Sequence, residues 1–199
     1  MPVIFIRHGD DNDDDPTYTH DPKITDNGKK KARSTSFELV QKYGSPKIIF
    51  CSPFRRTIQT AKMMKKMCGA KTKIYIDKNL SRYFCAREKV NPQIGPGTGK
   101  YDTPIYESWK GFEYRVDKHL EMIKKNYFNQ KDEVIWCITH ALVYKHVART
   151  YTITIPSYIP FMHYFVFDKQ AKEISKSKRD YQRYKSKKNK KKQQKKPKF

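Results

Sequence analysis

The chain has 199 residues, with 43 Lys plus Arg against 20 Asp plus Glu and a formal charge of +23. That length suits one domain with at most an appendage, and 37% hydrophobic residues with 14% aromatics exclude wholesale disorder. The charge is uneven: residues 169–199 hold 15 Lys or Arg against Glu173 and Asp180, and so carry +13 of the total.

In chain order, residues 3–6 form a run of β-formers that breaks at a polar cluster, the pattern of a buried strand opening into a loop over 10–22. Residues 25–43 read as a helix with Thr25 or Asp26 as N-cap and Phe37, Leu39 and Val40 on one side, stopped by Gly44 and Pro46. A strand is expected over 47–51. Ser52 is expected to cap the next helix, with Pro53 in its first turn and Ile58, Ala61, Met63, Met64 and Met67 as the apolar face up to Gly69. Strands follow over 73–76 and 134–138, separated by a Gly/Pro-rich loop over 91–104 and a helix over 108–127. A helix over 142–150 and a strand over 161–167 complete the order. Strands alternating with helices predict an α/β three-layer sandwich with a mostly parallel central sheet flanked by helices. Residues 1–168 would form this domain, and 169–199 a Lys-rich, disordered tail.

No segment reaches the roughly 20 apolar residues of a membrane span. Residues 1–6 give way to Arg7, His8 and aspartates without the apolar core of a signal peptide. A cytoplasmic location is expected, with the Lys-rich tail offering a nuclear address as an alternative. Cys51, Cys68, Cys85 and Cys137 are widely spaced, with no C-x-x-C pair, so reduced thiols are expected rather than a disulfide framework.

Parallel sheets place their chemistry at the carboxyl ends of strands. Three polar clusters fall there: Arg7-His8-Gly9, residues 52–56, and Thr139-His140. Two histidines with two arginines and no metal-ligand motif suit a phosphoryl group, because guanidinium forks match phosphate oxygens and stay charged. A neutral imidazole can attack phosphorus, neighbouring cations favour that neutral form, and the helix starting near Ser52 would add its dipole to oxyanion binding.

These residues resemble the histidine phosphatase superfamily, in its phosphoglycerate mutase-like branch. The likeness rests on Ile6-Arg7-His8-Gly9, on residues 52–61 (similar to the family's S-P-x-x-R-x-x-Q-T-A), and on Ile138-Thr139-His140. Ile24-Thr25 followed by Gly28, and Glu107-Ser108 leading to Arg115-Val116, are fainter echoes. The resemblance implies a phosphoglycerate mutase-like fold, no cofactor, and hydrolysis of phosphomonoesters through a phosphohistidine on His8. It implies that Arg7, Arg56 and His140 clamp the transferring oxygens, with Arg55 a solvated neighbour, and that Thr25 and Ser52 support the pocket. Substrates would be phosphorylated small molecules or phosphoproteins.

The general acid departs from the family pattern. In the mutase-like branch a glutamate follows the third strand, whereas Arg82 stands in the matching stretch; the acid-phosphatase branch has Asp after the second histidine, and here that residue is Ala141. Guanidinium is no proton donor at neutral pH. Three explanations stay open: Glu88 or Asp10 supplies the proton, the leaving group needs little protonation, or activity is lost. The last would leave a phospho-ligand or nucleic-acid binding protein; a mutase ranks lower still, because of the acid slot and Asp14. The aspartate run over 10–15 is expected to be a solvated loop rather than a cation site. Arg82, Arg87, Lys89 and Lys100 suit an anionic substrate as well as plain solvation, and the tail suits nucleic acid or anionic lipid as well as a solubilising role. His20, His119, His146 and His163 are read as structural or surface residues, Trp109 and Trp136 as burial anchors.

Overall fold

Both faces of Val3–Arg7 (β1) are covered, which is why its side chains run apolar without alternation. The structure is a computed structural model and describes residues 2–11, 21–83, 107–128, 133–167 and 173–176. After β1 come α1 (Asp26–Tyr43), β2 (Ile48–Cys51), α2 (Arg55–Lys65), β3 (Lys73–Ile76) and a short 3-10 turn at Lys78–Leu80. Then follow α3 (Trp109–Tyr127), β4 (Ile135–Thr139), α4 (Ala141–Thr150), β5 (Tyr164–Phe167) and β6 (Glu173–Lys176).

The six strands form one sheet in the order β3-β2-β4-β1-β5-β6. The first four run parallel, while β5 is antiparallel to β1 and β6 to β5. One face carries Val3, Phe5, Phe50, Ile135 and Cys137 against Phe112, Val116 and Ile123 of α3 and Val143 and Val147 of α4. The other carries Ile4, Ile6, Ile49, Trp136 and Ile138 against Ala32 and Leu39 of α1 and Ala61 and Met64 of α2. The expected α/β three-layer sandwich is therefore the fold.

Several local expectations need correction. Ser52 does not cap α2: the N-cap position is Phe54, without a side-chain bond, and both oxygens of the distant Asp21 accept from the Arg55 N–H, at 2.7 and 2.9 Å. A carboxylate from another segment thus takes the role of a local cap and meets the positive end of the helix dipole. The helix ends at Lys65, leaving Met67 39% exposed while Met64 is buried. Trp109, in the first turn of α3, is 41% exposed and is no burial anchor, whereas Trp136 on β4 is completely buried. Phe37 of α1 is 54% exposed, because Leu39 rather than Phe37 lies on the stripe facing the sheet. The last predicted strand begins only at Tyr164, since 158–163 turn sharply with Met162 at φ 62°. A strand, β6, lies within the stretch assigned to the tail; most of that stretch, including the lysine run, lies outside the described residues, as do His20, Cys85, Arg87, Glu88, Lys89, Lys100 and Asp14. Among the described residues no helix is long and apolar enough to cross a membrane.

The N-terminus of α1 abuts the loop after β1. A Cβ on Gly28 would lie 2.5 Å from the Asp10 carbonyl oxygen, and one on Gly9 would lie 3.1 Å from the Gly28 oxygen. Only glycine permits that approach of backbone to backbone. Gly28→Ala is expected to cost about 1–3 kcal/mol by overpacking, read as a lowered urea midpoint at unchanged m-value.

Candidate active site

Strands β2, β4 and β1 are neighbours, with Arg7 paired to Thr139 and Cys51 to Ile138. Their carboxyl ends therefore emerge side by side, and the three polar clusters become one site. Backbone bonds fix the level: the His8 N–H donates to Thr139 O at 3.0 Å and the Ser52 N–H to Ile138 O at 3.1 Å.

His8 is 4% exposed, and its Nδ1 lies 2.9 Å from Gly9 O. A carbonyl only accepts, so Nδ1 carries the proton and Nε2 keeps its lone pair. Burial, then the guanidinium groups of Arg56 and Arg7, hold the imidazole well below its ordinary pKa. His8 is thus uncharged at neutral pH.

His140, also 4% exposed, sits 5.2 Å from His8 between ring centroids. Its Nδ1 accepts from Arg56 Nη2 at 3.3 Å, since guanidinium only donates, so Nε2–H donates to Ser52 Oγ at 2.9 Å. Burial and Arg56 lower this pKa as well, with smaller contributions from His8, Arg82 and Arg115. Ser52, expected to cap a helix, instead orients a histidine. Phe54 packs edge-on against the same ring at 5.0 Å.

Arg56 is bracketed by two buried carboxylates: Asp11 lies 3.4 Å from Nε and Asp21 3.7 Å from Nη1, their side chains 4% and 2% exposed. Asp11 is therefore no solvated loop residue, and it forms an antiparallel bridge with Ile24. The carboxylate that caps α2 also faces Arg56, so the helix N-terminus already has its anion; the dipole expected for oxyanion binding is partly engaged by Asp21. Arg7 donates through Nη1 to Ile159 O and stacks 3.9 Å from the Phe161 ring centroid, while its buried Nε has no hydrogen-bond partner among the described residues. Phe161 also contacts the His8 ring at 5.4 Å.

The Gln59-Thr60 pair ties α2 to this site. Thr60 Oγ1 accepts from the Gly9 N–H at 2.9 Å and donates to Arg56 O at 2.7 Å, and Gln59 Oε1 accepts from the Ile24 N–H at 2.9 Å. Thr25 caps α1 by accepting from the Gly28 N–H at 3.0 Å, and its own N–H donates to Asp10 O at 2.8 Å. Asp10 turns its carboxylate to Lys31, at 2.9 Å, and to the Asn27 amide, at 2.6 Å. The structure thus gathers His8, Arg7, Arg56 and His140, and engages Asp10 elsewhere.

Among the described residues the thiols offer no competing nucleophile, since burial raises the pKa of Cys51, Cys68 and Cys137 alike. Burial pushes Cys51 up to about 12 and Cys137 well above the usual thiol range. The contact of Cys137 with His119, itself bonded to Asp77 at 2.6 Å, is wholly interior. His119, His146 and His163 are all buried. Among the described residues no group of three or more His, Cys, Asp or Glu is placed to hold a metal ion.

The model of the histidine phosphatase superfamily (branch 1) matches residues 3–83. The resemblance to the histidine phosphatase superfamily is borne out. The match spans β1 through the turn after β3, and so includes Arg7, His8, Ser52 and Arg56. No curated protein matches the chain by sequence. Among solved structures, the ecdysone phosphate phosphatase of Bombix mori in complex with tungstate is similar at 14% identity and TM-score 0.67, over 87% of this chain and 92% of that one. The protein histidine phosphatase SixA complexed with tungstate is similar at 17% identity and TM-score 0.60, over 87% and 92%. A mycobacterial glucosyl-3-phosphoglycerate phosphatase is similar at 13% identity and TM-score 0.62, over 83% and 88%. At these identities the likeness shows that the histidine phosphatase fold is shared.

Sequence reasoning missed Asp11, Asp21 and Phe161 as members of the site. Asp11 carried a faint signal, since it follows the Arg7-His8-Gly9 motif by two residues; Asp21 and Phe161 carried none.

Proposed function

We propose that this chain is a phosphatase that hydrolyses anionic phosphomonoesters through a phosphohistidine on His8. The observation that carries the reading is the His8 imidazole: buried, bonded through Nδ1 to Gly9, and flanked by two guanidinium groups. Its Nε2 lone pair is the nucleophile, and Arg7, Arg56 and His140 hold the transferring oxygens. Arg7 Nε is a buried donor suited to an anion. Ser52 holds the His140 tautomer, and Thr25 supports the wall behind Asp10 through its cap.

The superfamily match and three phosphatase-named neighbours, two of them bound to the oxyanion tungstate, support this reading. Glu88 and Asp10 were the candidate proton donors. Asp10 is engaged by Lys31 and Asn27, which leaves Glu88 as donor, or a leaving group that needs little protonation, as the two readings. The test is capture of the intermediate: on quenching turnover of a radiolabelled aryl phosphate, label should be retained on the protein in alkali and released in acid, the behaviour of a phosphoramidate. It should be absent from His8→Ala. Equal hydrolysis by wild type and His8→Ala removes the proposal.

A further inference from the structure

The turn leading into β5 is built onto the backbone of Arg7 and His8. The Arg7 N–H donates to His163 O at 3.0 Å, and the Met162 N–H donates to Arg7 O at 3.1 Å and His8 O at 3.3 Å. The His163 N–H closes back on Pro160 O at 3.1 Å, with Met162 at φ 62° and Phe161 outside the positive-φ region, the pattern of a type II turn. Such a turn favours glycine where Met162 stands, because a bulky L residue rarely adopts that backbone. Two anchors oppose the strain. Met162 is 1% exposed, in the core cluster of Ile4, Ile6 and Tyr164, and the Tyr144 hydroxyl of α4 lies 2.6 Å from His163 Nδ1. Strained residues persist where their surroundings over-determine them, and they gather at functional sites.

This turn carries Phe161. Its ring centroid lies 3.9 Å from Arg7 Cζ and 5.4 Å from that of the His8 ring, and Tyr158 adds a second ring 5.8 Å from Arg7 Cζ. From the same segment, Ile159 O accepts from Arg7 Nη1. One carbonyl and two aromatic rings therefore fix the guanidinium, while its buried Nε has no hydrogen-bond partner among the described residues. An aromatic ring attracts the face of a guanidinium and leaves the donors on its rim to an anion.

Building on the phosphatase reading, we propose that Phe161, with Tyr158 as a weaker second, is the positioning residue that holds the Arg7 fork ready for the transferring phosphoryl group. A long side chain loses rotamer freedom whenever it binds. Stacking and the Ile159 bond remove that freedom before the substrate arrives, so the bonds from Arg7 to the oxyanion carry little ordering cost. Phe161 supplies no group to the reaction and acts through Arg7.

The experiment is a double-mutant cycle on the full chain: wild type, Phe161→Leu, Arg7→Ala and the pair, with Phe161→Tyr and His8→Ala alongside. Each is read by 4-nitrophenyl phosphate kinetics and by tungstate affinity from calorimetry. Phe161→Leu should lower kcat about 10-fold and weaken tungstate binding about as much, the scale of a lost stacking contact and a misplaced donor. Phe161→Tyr keeps the ring and should stay within about 3-fold of wild type. In the Arg7→Ala background the same leucine should change either quantity by less than about 2-fold, because the group it positions is gone. If Phe161→Leu fails to fold, Tyr158→Leu, at a 38% exposed position, takes its place in the cycle, with a loss of about 3-fold expected only where Arg7 is present. Equal losses in both backgrounds, the mark of a merely structural ring, overturn this proposal, as does a leucine variant equal to wild type; both results spare the phosphatase reading. Wild-type turnover equal to His8→Ala overturns the phosphatase reading, and the tungstate arm then decides this one. Absence of both turnover and tungstate binding overturns both.

Discussion

Arg56→Ala is expected to damage activity and stability together. In the proposed mechanism the guanidinium is one of the donors to the transferring phosphoryl group, and loss of one such donor costs about 10²–10³-fold in rate. It is also the shared counter-ion of Asp11 and Asp21, both buried. Breaking a buried pair by removing one partner costs about 3–5 kcal/mol, because the remaining charge is left uncompensated. Here two carboxylates each lose one partner, and the Arg55 N–H still serves Asp21. Arg56→Lys separates the two effects: it returns positive charge to the carboxylates and recovers much of the stability, but a point charge lacks the fork that spans Asp11, Asp21 and His140 at once, so kcat/KM stays low. Urea unfolding and aryl phosphate turnover on the same preparations check both. Full activity in Arg56→Ala would place the phosphate elsewhere.

The second large effect is acid sensitivity. Both site histidines have folded pKa values pushed down, by burial first and by Arg56 next. Below the ordinary value of about 6.5 the unfolded chain takes up protons that the folded chain refuses, so stability rises with pH across that window and is lost as pH falls through it. Each histidine contributes a slope of up to about 1.4 kcal/mol per pH unit there. The charges around them explain why: burial of His8 is reinforced by Arg56 and Arg7, and that of His140 by Arg56, with smaller contributions from His8, Arg82 and Arg115. The nearby carboxylates, Asp11 and Asp21, are directed at Arg56. Chemical unfolding between pH 7 and 5 should show the loss, and His140→Gln should remove about half of the slope contributed by this pair. A stability independent of pH over that range would contradict the burial of two neutral imidazoles.

β1, β2, β4 and β5 were legible in the sequence because each is built on a short apolar run buried on both faces, which needs no alternation to be recognised, whereas β6 is short and polar and was read as tail. Arg7, His8, Arg56 and His140 were legible because each lies within a local motif at a strand end, where parallel sheets place their chemistry. The jobs of individual residues were less legible. Ser52 before Pro53 reads as a cap, yet its hydroxyl meets His140, 88 residues away in sequence. Asp21 looks like one more polar loop residue until α2 and Arg56 are brought to it by the fold. Phe161 approaches Arg7 only because β5 runs antiparallel beside β1, a pairing that no local pattern announces. Trp109 reads as a buried anchor from size alone, but its place in the first turn of α3 leaves it 41% exposed. What the sequence hides is partnership across distance.

Asp11 and Asp21 reach one guanidinium from opposite ends of the stretch 12–20. The pocket thereby grips the chain on both sides of that stretch and is indifferent to how much lies between. Doubling such a span costs only about 0.6 kcal/mol of closure entropy. The number of residues between these two anchors can therefore change without moving either carboxylate from Arg56.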